Sequence, residues 1–323
     1  MTRAVRIHRT GGPEVLTLET VDTGQPGQGE VLVRQTAIGL NFIDTYQRSG
    51  LYPLSLPATL GMEAAGIVEA IGPGVTDPGI GERVAYPMTA GSYAGERIMP
   101  ADRLVRIPDG VSDETAAAMM LKGMTAEYLL MRTFPVQEGQ TILFHAAAGG
   151  VGLIACQWAR ALGARVIGTV STEEKAALAS AHGCHHPVVT SSEDIVARVK
   201  EITGGKGVPV VYDSVGRDTF DASLAVLAPR GTLVSFGQSS GAVENFNPAR
   251  LAAGGSLYYT RPGLANYIAS REELELSAKR LFSMVDSGEV RIEVNQTYPL
   301  DDIERAHRDL EGRRTTGSTV LLP

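Results

Sequence analysis

The run Ala146-Ala147-Ala148-Gly149-Gly150-Val151-Gly152 lies between strand-forming residues, Thr141–His145, and a segment of helical periodicity, Gly150–Leu162. Glycines there let a ligand approach the backbone, and the first N–H groups of a helix, at its positive end, suit a diphosphate. Read as Gly-x-Gly-x-x-Gly, the pattern has Ala147 in the first place and Gly149 and Gly152 in the other two. A glycine pattern alone is weak; between a strand and a helix it predicts a dinucleotide site, against the alternative of a tight turn that binds nothing.

The choice of dinucleotide is read further on. An NAD site carries an acid about 20 residues past the loop, on the ribose 2′-hydroxyl. Here that stretch is Gly168-Thr169-Val170-Ser171-Thr172, with no acid, and Lys175 follows one turn later. An ammonium there fits a 2′-phosphate, so NADP is expected; otherwise Lys175 is an ordinary solvated lysine.

Asn41-Phe42-Ile43-Asp44-Thr45-Tyr46 sets polar groups among apolar ones, and Tyr52 follows. These groups suit an aromatic or carbonyl acceptor beside a nicotinamide, or else Asn41 merely caps a surface helix. His182-Gly183-Cys184-His185-His186 lacks the second ligand pair of a metal site. Cys156 reads as a small core hydrophobe, and His145 as buried and neutral. No Gly-x-Ser-x-Gly elbow and no Ser/His/Asp order is present.

The elements that must position these residues fall into two rhythms. Residues 1 to about 122 are β-rich: Ala4–Ile7, Val15–Thr20, Val31–Ile38, Ala64–Ile71, Arg83–Tyr86 and Arg103–Ile107, with Gly/Pro turns, predict a small barrel or sandwich. From about 123 to 265 strands alternate with helices. Thr141–His145, Arg165–Val170, Pro187–Val189, Pro209–Tyr212 and Gly231–Phe236 are the strands, and Gly150–Leu162, Thr172–His182, Glu193–Thr203 and Thr219–Leu227 the helices. That alternation predicts a parallel, doubly wound α/β sheet. Gly163, Gly183 and Gly204 fall just past helix ends, and Ser171/Glu174 and Ser270/Glu273 have capping-box spacing. The tail reads as a helix bearing Leu274, Ala278, Leu281, Phe282 and Val285, a strand Val290–Val294, a helix Asp301–Glu311 and a strand Ser318–Leu322.

Composition bounds the function. The 323 residues fit two domains, and the net charge of −7 argues against nucleic-acid or membrane-surface partners. Two cysteines give no disulfide framework, and no apolar leader or spanning segment is evident, so a cytoplasmic protein is expected.

Four stretches carry a resemblance: Gly39–Tyr46, Ala146–Ala155, Tyr212-Asp213-Ser214-Val215-Gly216 and Gly231–Gly241. Along essentially its whole length the chain resembles the zinc-free quinone oxidoreductases of the medium-chain dehydrogenase/reductase superfamily, the group that includes zeta-crystallin. The resemblance implies a GroES-like catalytic domain of residues 1–122 and 266–323 around a Rossmann NADP-binding domain of 123–265. It implies a homodimer pairing edge strands near Leu257–Thr260. Zinc-dependent relatives place a cysteine at Asn41 and a His-Glu pair at Met62-Glu63, so no metal is expected. The resemblance implies NADPH contacts from Asn41, Thr125, Gly149, Gly150, Val151, Gly152, Ser171, Lys175, Ser214, Phe236, Gly237, Ser239 and Arg313. Thr190 stands where close relatives carry a tyrosine that helps hold the adenosine phosphate, which loosens the expected preference for NADPH.

Reduction of a quinone needs stacking and orientation more than acid–base machinery. Asn41, Asp44, Tyr46 and Tyr52 are expected to line the acceptor pocket. The expected activity is NADPH-dependent quinone reduction, by hydride or single-electron transfer. The alternatives are a reductase of α,β-unsaturated ketones or aldehydes, and a non-catalytic NADPH-binding protein.

Overall fold

A computed structural model describes residues 1–323. The chain forms two units, one of Met1–Met124, Ile268–Phe282 and Ile292–Pro323, the other of Thr125–Tyr267 and Ser283–Arg291. No helix is long and apolar enough to cross a membrane.

The first stretch of the chain holds β1 (Thr2–Ile7), β2 (Thr17–Val21), β3 (Glu30–Leu40), α1 (Phe42–Ser49), β4 (Ala58–Thr59), β5 (Glu63–Ile71), β6 (Arg83–Pro87), β7 (Glu96–Pro100), β8 (Val105–Arg106) and α2 (Asp113–Tyr128). β2, β1 and β4 form a small sheet; β3 pairs antiparallel with β5 and β7 in a larger one. Val31 and Val33 are buried with their neighbours less so, the alternation of a strand with one face in the core. From Ala37 to Leu40 every residue is buried. β3 therefore delivers Asn41 into the interior, and α1 starts there.

Two segments were not anticipated. The sequence reading places no strand at β7. α2 was read within a β-rich region, because Ala116–Met120, Met124 and Ala126 leave it no polar face and hence no helical period.

The second stretch holds β9 (Thr141–Phe144), α3 (Gly150–Ala161), β10 (Arg165–Val170), α4 (Glu173–Ala181), β11 (His186–Val189), α5 (Ile195–Thr203), β12 (Val208–Asp213), α6 (Phe220–Ala225), β13 (Leu227–Ser235), α7 (Ala249–Ala253) and β14 (Tyr258–Thr260). All six strands are parallel, in the order β11-β10-β9-β12-β13-β14. This is the doubly wound α/β sheet expected. Its order reverses between β9 and β12, and ligands of such sheets bind at the carboxyl edge at that point. Gly163, Gly183 and Gly204 have φ of 78°, 90° and 58°, as their places past helix ends require.

The tail holds α8 (Arg271–Asp286), β15 (Val294–Pro299), α9 (Ile303–Glu311) and β16 (Ser318–Leu322). β16 pairs antiparallel with β3, so the tail completes the first unit's larger sheet. Two local expectations are corrected. The strand expected at Val290–Val294 begins only at Val294, because the side-chain amide of Gln157 takes both backbone groups of Arg291 (2.8 and 2.9 Å). The cap of α4 is Thr172, whose hydroxyl accepts the Lys175 N–H at 3.3 Å, and not Ser171. The box at Ser270/Glu273 forms as read, with bonds of 3.1 and 3.2 Å.

Candidate functional site

In the second unit, the phosphate loop leaves β9 at the point where the sheet order reverses. Ala146 takes the left-handed conformation (φ 54°), and its carbonyl accepts the Gly149 N–H at 2.9 Å. Gly149 is extended (φ −81°, ψ 174°) and offers α3 no side-chain cap. The first N–H in α3 met by the chain itself is that of Leu153, which donates to Gly149 O at 2.9 Å. The amides of Gly150, Val151 and Gly152 have no acceptor within the helix, as in any first turn. A Cβ at Gly152 would lie 2.4 Å from Ala146 O and 2.7 Å from Ala147 Cα, so only glycine lets the helix start beneath the loop. Uncapped amides under side-chain-free backbone fit a diphosphate.

The other expected cofactor residues of this unit follow the carboxyl ends of the same strands. Ser171 and Lys175 come after β10, Thr190 after β11, Ser214 after β12, and Phe236, Gly237 and Ser239 after β13. A Cβ on Gly237 would lie 2.6 Å from Ser214 O, which also accepts the Ser239 N–H at 3.1 Å. Two of the loops are therefore packed backbone to backbone. Lys175 and Ser171 are half-buried, and Thr190 is exposed with its hydroxyl donating to Val170 O at 3.1 Å. Thr125 is buried at the start of this unit. Arg313 belongs to the first unit, is exposed and has φ 58°.

In the first unit, Asn41 is the N-cap of α1, and the Asp44 carboxylate accepts its backbone N–H at 2.9 Å. The Asn41 amide donates to Glu63 Oε1 at 2.8 Å. Glu63 is fully buried; its Oε1 also takes the Lys122 ammonium (2.6 Å) and its Oε2 the Leu121 N–H (2.6 Å). Gly39 makes room for this carboxylate, since a Cβ there would lie 2.4 Å from Glu63 Oε1. The positions at which zinc-dependent relatives carry ligands thus hold an amide, a thioether and a carboxylate paired with an ammonium. No group of three or more His, Cys, Asp or Glu side chains is placed to hold a metal ion. In the cluster His182–His186, His182 Nδ1 bonds Leu178 O (2.8 Å) and His185 Nδ1 accepts the Val166 N–H (3.1 Å).

Tyr46 and Tyr52 meet edge to face at 5.3 Å, and Phe42 lies 6.3 Å from Tyr46. All three rings are half-buried, a row suited to a flat acceptor. Asp44 does not join that row. It is fully buried, and its Oδ2 accepts from the Tyr93 hydroxyl at 2.7 Å while Oδ1 has no partner. Burial pushes its pKa up to about 7. Tyr93 also reaches His307 Nε2 (3.2 Å), and Arg48 holds His307 Nδ1 (2.8 Å) and Glu311 (2.7 Å). Burial first, and the Arg48 charge second, press the His307 pKa down to about 3. Asp44 is therefore an anchor of α1 rather than a wall of an open pocket.

Sequence reasoning missed Lys122, Tyr93 and His307. Lys122 had a signal: it is the lone cation in an apolar helical stretch, and a buried charge demands a partner. Tyr93 and His307 had none, since their partners lie 49 and 259 residues away.

Two family models match the chain: "Alcohol dehydrogenase GroES-like domain" over residues 27–138 and "Zinc-binding dehydrogenase" over 150–264. A GroES-like unit and a Rossmann sheet on one chain define a medium-chain dehydrogenase/reductase. The chain is 53% identical to the quinone oxidoreductase of Pseudomonas aeruginosa, over 100% of both chains. It is 48% identical to a 2-haloacrylate reductase from a Burkholderia species, over 100% of this chain and 99% of that one. The crystal structure of Escherichia coli quinone oxidoreductase complexed with NADPH superposes with a TM-score of 0.98 at 51% identity, covering 99% of this chain and 100% of that one. The chain belongs to the quinone oxidoreductase family.

Proposed function

We propose that this protein reduces quinones with NADPH and without a metal. The uncapped, glycine-cradled start of α3 carries the reading, because it offers a diphosphate free amides and nothing else. The relatives named quinone oxidoreductase, one of them complexed with NADPH, support the cofactor and acceptor. Gly149, Gly150, Val151 and Gly152 take the diphosphate; Ser171 and Lys175 take the 2′-phosphate, with Thr190 contributing less than a stacking ring would. Asn41, Thr125, Ser214, Phe236, Gly237, Ser239 and Arg313 are proposed as the remaining contacts.

Bound NADPH supplies a hydride equivalent; with one proton from solvent it converts a quinone to a hydroquinone. The chain's part is to orient and to exclude water. Phe42, Tyr46 and Tyr52 stack the acceptor, and Asn41, locked by Asp44 and Glu63, presents a fixed start to α1. The Lys122–Glu63 pair supports metal independence, because it fills with a proton-bearing cation the charge that a bound metal would otherwise supply.

We further propose a homodimer that pairs β14 with its copy. β14 is the sheet edge and Tyr258 on it is exposed, an unpaired ladder that needs cover. The two cysteines are free and buried, which supports a reducing compartment, the cytoplasm. A reductase of activated alkenes is the second reading, favoured by the 2-haloacrylate reductase relative.

The test is a rate comparison of the purified chain with NADPH and NADH against benzoquinones, naphthoquinones, enones and haloacrylates. Quinone turnover without added metal is expected. Faster turnover of the alkenes would favour the second reading, and NADPH binding without any turnover would leave a binding protein.

A further inference from the structure

At the point where the sheet reverses, α3 and α6 leave β9 and β12 in opposite directions, which opens the crevice but leaves its two walls without a shared helix. A buried polar cluster joins the loops that follow β9 and β12. His145, the residue after β9, donates its backbone N–H to Tyr212 O at 3.0 Å. Its Nδ1 lies 2.9 Å from Thr169 Oγ1 and its Nε2 3.0 Å from Ser223 Oγ. Thr169 Oγ1 accepts the Ala146 N–H (3.3 Å) and Thr169 O the Ala147 N–H (3.0 Å), so this threonine holds the phosphate loop. Ser223 donates to Asp213 Oδ2 at 2.8 Å. Asp213 Oδ1 in turn accepts the N–H groups of Val215 (2.8 Å) and Gly216 (3.0 Å), fixing the turn after β12. The Thr219 hydroxyl also donates to Asp213 (2.8 Å). His145, Thr169, Asp213 and Ser223 are all buried.

The direction of every proton follows. The Ser223 hydroxyl hydrogen goes to the carboxylate, so Ser223 Oγ accepts from His145 Nε2–H. Thr169 Oγ1 accepts from Ala146, and its own hydroxyl hydrogen has His145 Nδ1 within reach. A neutral imidazole carrying its proton on Nε2 satisfies both bonds and leaves no hydroxyl hydrogen over, and burial, which lowers the His145 pKa, favours that form. An imidazolium would leave the Thr169 hydroxyl hydrogen without an acceptor.

We propose that His145 is a positioning residue that ties the phosphate loop to the 213–216 turn and so fixes the spacing of the two walls that grip the dinucleotide. This rests on the NADPH site proposed above. Replacing His145 loosens the crevice without touching ligand or acceptor.

Calorimetric NADPH binding and steady-state kinetics of the full chain test it, with His145→Phe, His145→Gln, Ser223→Ala and Thr169→Val. His145→Phe is expected to raise the Kd and KM for NADPH about tenfold, the scale of one buried polar group left unpaired. The KM for quinone stays unchanged. His145→Gln, which keeps a donor toward Ser223, recovers part of the loss. Because Ser223→Ala and Thr169→Val remove single links, they carry the test if His145→Phe does not fold. Nitrogen-15 NMR of the wild type should show an Nε2–H ring that titrates below the ordinary histidine range. Folded variants with NADPH affinity within twofold of wild type, or an imidazole that titrates near 6.5, would overturn this inference alone. Failure of the wild type to bind NADPH would overturn the functional reading and this inference with it.

Discussion

At the scale of single residues, buried charges decide the behaviour of the first unit. Lys122 and Glu63 face each other with almost no exposure, so removing one partner strands the other. Lys122→Met should destabilise the chain by about 3–5 kcal/mol, measured by urea unfolding. Asp44 works in the opposite sense. Its folded pKa, about 7, lies above the ordinary carboxylate value, so folding takes up a proton. Its stabilising contribution is complete below the unfolded pKa, near 4, and falls as pH rises toward 7. His307, at about 3, is the mirror case: stability is lost as pH falls from about 6.5. Asp44→Asn removes the first dependence only. Its thermal midpoint relative to wild type should therefore rise between pH 5 and pH 8; a constant difference would mean that Asp44 stays ionised throughout. In the second unit, Lys175→Ala should raise the KM for NADPH far more than that for NADH. Equal changes would remove Lys175 from 2′-phosphate recognition.

At the scale of elements, what was legible followed from local chemistry. The sequence reading matches β10 from end to end and α3 to within one residue at its close, because a continuous apolar run, a glycine start and a Gly163 stop are all local signals. α2 was not legible, since a helix buried on every side has no periodicity to read. β15 was misplaced because its polar sequence, Val-Asn-Gln-Thr-Tyr-Pro, lacks a hydrophobic alternation. The candidate site divides in the same way. The phosphate loop is contiguous in sequence and was found; the His145–Ser223–Asp213 and Asp44–Tyr93–His307 chains are assembled by tertiary contact and were not. The glycine that starts α3 also yields the sharpest element-scale expectation. Gly152→Val puts methyl groups where Ala146 O and Ala147 Cα already lie, so the loop must move off the helix. NADPH affinity should fall at least a hundredfold while far-UV circular dichroism stays native.

At the scale of the whole molecule, an acidic chain of net charge −7 must bind an anionic cofactor through local cations and amides. Binding should therefore weaken as salt screens Lys175 and Arg313, whereas the helix-terminus contribution persists. The homodimer proposed above rests on the open edge at β14. Tyr258→Asp should convert a dimer to a monomer by light scattering, since a charge there repels its own copy across the pairing axis. A wild-type monomer would rule out the edge-strand dimer.

The most direct measurement is calorimetric titration of the purified wild-type chain and of Gly152→Val with NADPH. The account predicts one NADPH per wild-type chain, bound more tightly than NADH, and no measurable binding by the variant. Equal NADPH affinity in the two proteins would contradict it, because the diphosphate would then be held somewhere other than the start of α3.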